Sequence, residues 1–224
     1  MALSFDHDGA ELFPNFVNAG LLRKLDAMFS MLPRRAGVRL GANTKLQGWI
    51  CKASPILQLA RSLLGGTAQP VRAILFDKRD AANWALGWHQ DRTIAVRERI
   101  EVQGFSNWTL KASIPHVEPP FEVLQRMVTA RIHLDDVNAE NGPLLIVPGS
   151  HRLGRLTDDG VGRAVAAGST FACLANAGDV WLYATPILHA SEASRQSTGR
   201  RVLQIDFSAD GLSGGLQWAG MASS

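Results

Sequence analysis

The chain has 224 residues, 46% hydrophobic and 19% charged, which suits a soluble globular protein with one sizeable core. Its net charge is +3, from 23 basic and 20 acidic residues, with no dense Lys/Arg tract, and this argues against a nucleic-acid partner. No stretch approaches the ~20 consecutive apolar residues of a membrane span, and the opening MALSFDHDGAELF lacks a basic segment leading into a long apolar one. A cytoplasmic protein, monomeric or homodimeric, is expected.

In chain order, residues 19–32 place Leu21, Leu22, Leu25, Met28, Phe29 and Leu32 at helical spacing, and Pro33 ends the run. A second helix is predicted over 54–64, with Ser54 as N-cap, Pro55 at the first helical position and Gly65-Gly66 as the stop. Residues 1–66 thus read as a mostly helical front. The pattern then changes to short apolar or alternating runs at 71–76, 127–134, 143–148, 170–175, 179–184 and 201–207, separated by Asn-Gly, Pro-Gly and Thr-Gly turns. Helices first and strands after predict an α+β, mainly β chain: one domain over 1–224, with a jelly-roll core from residue 67 onward. In MVTARIHL, Val128, Ala130, Ile132 and Leu134 share one face; Met127, Thr129, Arg131 and His133 share the other. Arg131 and His133 serve a site if that face is inward, and are solvated if it is outward. Residues 92–126 show weak periodicity and read as a lid or substrate loop, or as a plain connector.

The two cysteines, Cys51 and Cys173, form no CxxC, which excludes a zinc ribbon or a thioredoxin-type motif. Two buried thiols are expected, with a single disulfide left open.

The chemistry starts at WHQDRT. His89 and Asp91, at i and i+2 on an extended strand, point to the same side. A metal site needs a third ligand. His7 lies in the polar N-terminal segment, and His151, in PGSHRLG, reads as a turn residue. His189 follows the strand GDVWLYA, and Arg200 comes eleven residues later at the start of RVLQIDF. Two imidazoles and a carboxylate on one face of Fe(II) leave positions open for a 2-oxo acid and O2. The far carboxylate of that acid needs a buried cation, and arginine offers two parallel hydrogen bonds and keeps its proton. His89, Asp91, His189 and Arg200 supply all four parts in order. A lone HxD is a weak signal; the conjunction is much stronger. A cupin-like isomerase or hydrolase using another metal would not need Arg200, and a non-catalytic binding module would not need His89.

The order of motifs resembles the phytanoyl-CoA dioxygenase-like (PhyH) family of Fe(II)/2-oxoglutarate-dependent oxygenases. The similar segments are FDHDGAELFPNFVNAGLLRKL, WHQD, RIHLDDVNAENGPLLIVPGSHRLG, GDVWLYATPILHASEAS and GRRVLQIDF. The resemblance implies a double-stranded β-helix (jelly roll) with N-terminal flanking helices. It implies Fe(II) on His89, Asp91 and His189, and 2-oxoglutarate held through its C5 carboxylate by Arg200. Ser191, in His-x-Ser, would donate to the same carboxylate, or else bond its own backbone. Lys78 would meet a cosubstrate carboxylate, or else be a solvated strand-end residue. Arg201 falls on the opposite strand face and does not replace Arg200. The implied reaction consumes O2 and 2-oxoglutarate, releases succinate and CO2, and hydroxylates an unactivated C–H bond. Asp91 favours hydroxylation over halogenation, because related halogenases lack the carboxylate ligand.

For the substrate, the expectation is a small metabolite; the absence of a basic patch argues against coenzyme A esters. Arg92, Arg97, Trp108, His116, Phe121, Arg131 and His133 are the candidate pocket residues, with Arg92 and Arg97 as anchors for an anionic group. Trp88 and Trp181 read as core packing rather than pocket wall.

Overall fold

The computed structural model describes residues 2–33, 35–41, 44–50, 54–79, 83–195 and 199–220. The front contains α1 (Phe5–Asp8), β1 (Ala10–Phe13), α2 (Ala19–Phe29), β2 (Gly37–Arg39), α3 (Thr44–Ile50) and α4 (Pro55–Leu64). Then come β3 (Gln69–Lys78), β4 (Leu86–His89), β5 (Ile94–Ala95), β6 (Ser106–Lys111), β7 (Ile114–Glu118) and α5 (Phe121–Gln125). The chain continues through β8 (Met127–His133), β9 (Leu144–Ile146), α6 (Asp158–Ala167), β10 (Phe171–Cys173), β11 (Val180–Ala184), β12 (His189–Ser191) and β13 (Arg200–Ser208).

Both predicted helices form. Asn18 caps α2 by accepting from the Leu21 N–H, and Ser54 caps α4 by accepting from the Leu57 N–H. Helix α2 stops at Phe29, short of the predicted end, with Ser30 at its C-cap and the Ser30 hydroxyl bonded to the Ala27 carbonyl. Leu25, Met28 and Phe29 of α2 and Ile56, Leu57 and Ala60 of α4 pack on one face of a six-stranded antiparallel sheet, in the order β1-β11-β8-β13-β3-β2. A second antiparallel sheet, β10-β9-β12-β4, completes the jelly roll.

Strand alternation divides the large sheet between helices and interior. Ala73 and Leu75 of β3, Val128, Ala130 and Ile132 of β8, and Leu203, Ile205 and Phe207 of β13 belong to the helix-side core. The alternate residues Arg72, Ile74, Phe76, Arg131, Arg200 and Gln204 line a cavity between the sheets. All seven residues of β8 are buried, so the outward, solvated reading of Arg131 and His133 is excluded.

Two features differ from the sequence reading. The front is not purely helical: β1 pairs with β11 and β2 with β3, and both are too short to show a period. Residues 92–126 are not irregular. Strands β5, β7 and β6 form a small sheet, and its residues Ile94 and Val117, with Val96 just beyond β5, share a core with Leu216 and Trp218. A register shift between Ser106 and Thr109 breaks the alternation of β6.

Cys173 is buried with a free thiol; Cys51 lies outside the described residues. Among the described residues no helix is long and apolar enough to cross a membrane.

Candidate active site

Strands β4 and β12 are neighbours, and His89 and His189 are direct cross-strand partners. Their ring centroids lie 4.2 Å apart. Strand β4 ends at His89, and Asp91 lies just beyond it, still on the same side. One ligand atom from each of His89, Asp91 and His189 falls within 4.8 Å of the others.

The imidazoles are fixed by identical devices. Nδ1 of His89 donates to the Gly87 carbonyl at 2.7 Å, and Nδ1 of His189 donates to the Ile187 carbonyl at 2.9 Å. A carbonyl only accepts, so the proton sits on Nδ1 and the Nε2 lone pair of each ring is available to a metal. Burial pushes the His189 imidazole down to about 4, with Asp91 opposing and His89 adding to the effect. It is therefore neutral, as a ligand must be. Burial raises the Asp91 carboxyl, but Arg72 and then His189 and His89 outweigh it, leaving it below the usual carboxylate range. Arg72 approaches Asp91 to 3.5 Å and pairs with Asp206 on the neighbouring strand. Asp206 also accepts from the Thr129 hydroxyl at 3.0 Å.

The HxD spacer residue has its own task. Gln90 points away from the triad and is 2% exposed. Its amide donates to the carbonyls of Gly154 (2.9 Å) and Pro186 (3.1 Å), and its carbonyl accepts from the Leu156 N–H at 3.0 Å. Ser150, in Pro-Gly-Ser-His, accepts from the Leu188 N–H at 2.8 Å. Both contacts hold the approach to His189.

At the other end of the cavity β13 pairs with β3, placing Arg200 opposite Lys78. The Arg200 guanidinium is buried, and its Nε and Nη1 have no hydrogen-bond partner among the described residues. Burial and then Arg131 disfavour its charge. Lys78 is fully buried rather than solvated. Its Nζ donates to the Ser191 hydroxyl at 3.1 Å and to the Glu192 carbonyl, and lies 5.0 Å from the Trp84 ring centroid. The Ser191 hydroxyl is thus bonded to Lys78 rather than to its own backbone. Burial, then Arg200 and Arg131, push the Lys78 ammonium down to about 8. Gly142, from the Asn-Gly-Pro-Leu motif, has φ +67; a Cβ there would lie 2.6 Å from the Glu192 carbonyl and 3.0 Å from Lys78 Nζ.

Of the other predicted residues, Arg131 lines the same cavity and donates to Gln204 at 3.0 Å. Arg92 lies on an adjoining cavity, donating to the Leu156 carbonyl at 2.7 Å and sitting 3.6 Å from Asp158. Arg97 is elsewhere: its N–H pairs with the Gln217 carbonyl, and it lines a separate cavity beside Trp218. This pairing with the C-terminal segment removes it from the triad. His116 and His133 are buried, and neither lines the cavity; His133 has no side-chain partner among the described residues, and His116 bonds only the Ile114 carbonyl. Trp108 and Phe121 pack in the core of the small sheet; Trp181 packs as a core residue, while Trp88 is partly buried against another cluster and also lines the adjoining cavity with Arg92. Arg201 faces outward and pairs with Asp26 and Asp135.

Arg72, Gln90, Gln204 and Asp206 were missed by sequence reasoning. Period-two counting from Arg200 reaches Gln204 and Asp206, and from Lys78 it reaches Arg72. Gln90 had no comparable signal.

Residues 37–202 match the family described as phytanoyl-CoA dioxygenase (PhyH). The chain belongs to the PhyH family. The match takes in all three triad residues, Lys78 and Arg200 of this PhyH chain. No curated protein sequence matches it. Among solved structures it is similar to EctD from S. alaskensis with bound Fe, at 17% identity and TM-score 0.69, covering 98% of this chain and 79% of that one. It is also similar to HygX from Streptomyces hygroscopicus with iron bound, at 16% identity and TM-score 0.65, covering 92% and 87%. The epimerase SnoN in complex with Fe3+, alpha ketoglutarate and nogalamycin RO aligns at 17% identity and TM-score 0.62, covering 91% and 80%. These likenesses show a shared fold.

Proposed function

We propose that the protein is a non-haem Fe(II)/2-oxoglutarate-dependent dioxygenase that hydroxylates an unactivated C–H bond of a small metabolite. The observation that carries this is one cavity holding two imidazoles and a carboxylate together, with a buried Arg200 whose Nε and Nη1 have no partner among the described residues. The donor set fits ferrous iron and is half of what the cosubstrate needs. EctD with 2-oxoglutarate and 5-hydroxyectoine has the same fold, at 17% identity and TM-score 0.68.

His89, Asp91 and His189 would hold Fe(II), and the Gly87 and Ile187 carbonyls keep both Nε2 lone pairs turned toward it. Arg72 keeps Asp91 ionised and ties it to β13 through Asp206. Arg200 would take the C5 carboxylate of 2-oxoglutarate, with Lys78 and Ser191 donating beside it. Gln204 holds the Arg131 guanidinium in the same cavity, where it adds positive potential. When bound, the iron supplies O2 activation coupled to decarboxylation of 2-oxoglutarate to succinate and CO2. The protein's part is to orient these groups and keep water from the reacting carbon.

The test is anaerobic addition of Fe(II) and 2-oxoglutarate, read as a visible metal-to-ligand charge-transfer band. The wild type is expected to show it, and His89→Ala and Arg200→Ala are expected to lose or weaken it. A wild type without the band, or an Arg200→Ala variant with unchanged 2-oxoglutarate affinity, favours the metal-dependent isomerase or hydrolase instead. A chain whose biological role survives His89→Ala is a binding module.

A further inference from the structure

The cavity has a second set of cations that iron and cosubstrate do not use. Arg39, on the edge strand β2, and Lys111, at the end of β6, both line it. They come from the front and from the 92–126 segment, which meet at this cavity. Register separates Arg39 from the cosubstrate end: Arg39 is paired with Ile74 of β3, whereas Arg200 is paired with Lys78. Four residues of strand span about 13 Å, too far for one carboxylate to bridge.

Neither side chain is neutralised. The Arg39 Nε is buried without a hydrogen-bond partner, and neither Arg39 nor Lys111 forms an ion pair among the described residues. Burial and then Arg72 disfavour the charge on Arg39. Burial, then Arg39 and Arg72, disfavour it on Lys111, with Asp91 opposing. Among the described residues, five cations, Arg39, Arg72, Lys111, Arg131 and Arg200, line this cavity against one lining acid, Asp91, and of the five Arg72 is already paired with Asp206 behind it. Asp91 is already engaged by Arg72 and the triad. Solvated surface cations would not bring a buried guanidinium nitrogen with them, and a cavity of about 380 Å³ is the size of a small-molecule site.

We infer that Arg39 and Lys111 form an oxyanion subsite, so that the substrate is a small acid whose carboxylate or phosphate docks there with its reacting carbon at the triad. Calling the ligand a substrate rests on the oxygenase reading; the subsite does not. Arg39 and Lys111 thus join the candidate anion anchors; Arg92 shares the adjoining cavity with Lys111, and Arg97 lies on a separate one. Arginine on one side and lysine on the other suit an oxyanion approached from two directions.

The test uses methyl phosphate and propionate as probes, titrated calorimetrically into the full chain loaded with Fe(II) and 2-oxoglutarate under nitrogen, and again into the metal-free chain. Saturable binding of at least one probe is expected, and the stronger probe identifies the oxyanion. Arg39→Gln/Lys111→Met should weaken it at least about tenfold, and Arg39→Lys should retain most of it. The 2-oxoglutarate affinity of the double variant should stay close to wild type. Unchanged probe binding in the double variant, or no saturable binding of either probe, overturns the inference. Should the double variant fail to give a wild-type circular dichroism spectrum, Arg39→Gln alone carries the comparison. Failure of the oxygenase reading shows separately, as a missing charge-transfer band, while the difference between wild type and double variant in the metal-free titration still reports on the subsite, apart from any probe held at Arg200.

Discussion

Replacing Lys78 with Met should make the metal-free protein more stable near neutral pH while impairing its proposed cosubstrate site. Lowering the ammonium from 10.5 to about 8 on folding corresponds to roughly 3 kcal/mol of destabilisation, at about 1.4 kcal/mol per tenfold change. The sign follows from proton counting. The folded state binds fewer protons than the unfolded state, so the penalty is absent above about 10.5, grows as pH falls, and is complete below about 8. Methionine removes that penalty, still packs on Trp84, and loses the hydrogen bonds to Ser191 and Glu192. Those bonds are worth about 1 kcal/mol each in net terms. The difference is a gain of about 1 kcal/mol at about pH 7, turning into a loss of similar size at about pH 10. Urea unfolding of both proteins at the two pH values measures it, and 2-oxoglutarate affinity should fall at least about tenfold. A variant clearly less stable at neutral pH, or a difference that does not change with pH, refutes the burial argument.

Gly142→Ala should destabilise by at least about 1 kcal/mol, because alanine is strained at this φ and its Cβ collides with the Glu192 carbonyl; thermal unfolding reads it. Gln90→Leu should cost about 2–3 kcal/mol, since it strands two carbonyls and one N–H beside His189, and Fe(II) affinity should fall with it; urea unfolding and metal titration measure the two effects. In a Cys51→Ser background, Ellman's reagent should label the native protein very slowly at about pH 8, because burial pushes the Cys173 thiol up to about 12. Fast labelling would mean that this thiol is open to solvent.

The strand signals that were legible belong to sequences with strong alternation or long apolar runs, and β3, β8, β11 and β13 all form where those runs lie. The triad and Arg200 were legible because each stands at a strand end with a fixed order along the chain. The β6–β7 hairpin was not, because its turn residues Ala112 and Ser113 have φ of 51° and 62° without Gly or Asn to announce it. Lys78 was misjudged as solvated in one of its readings because a strand-end lysine normally is. Its burial depends on Gly142 and Trp84, which are distant in sequence. Arg39 and Lys111 carried no signal: each sits in a short strand whose partner is set only by the fold.

The order of strands in the large sheet constrains how the chain can be made. Strand β13, near the C-terminus, is inserted between β8 and β3, while β1, near the N-terminus, waits for β11. During synthesis β3 and β8 therefore keep open edges until β13 has been made. Such long-range pairing folds slowly and exposes the apolar faces of α2 and α4 in the meantime. A chain lacking β13 would lose Arg200 together with the centre of the sheet, so the buried cation opposite Lys78 cannot be lost by truncation without losing the fold as well.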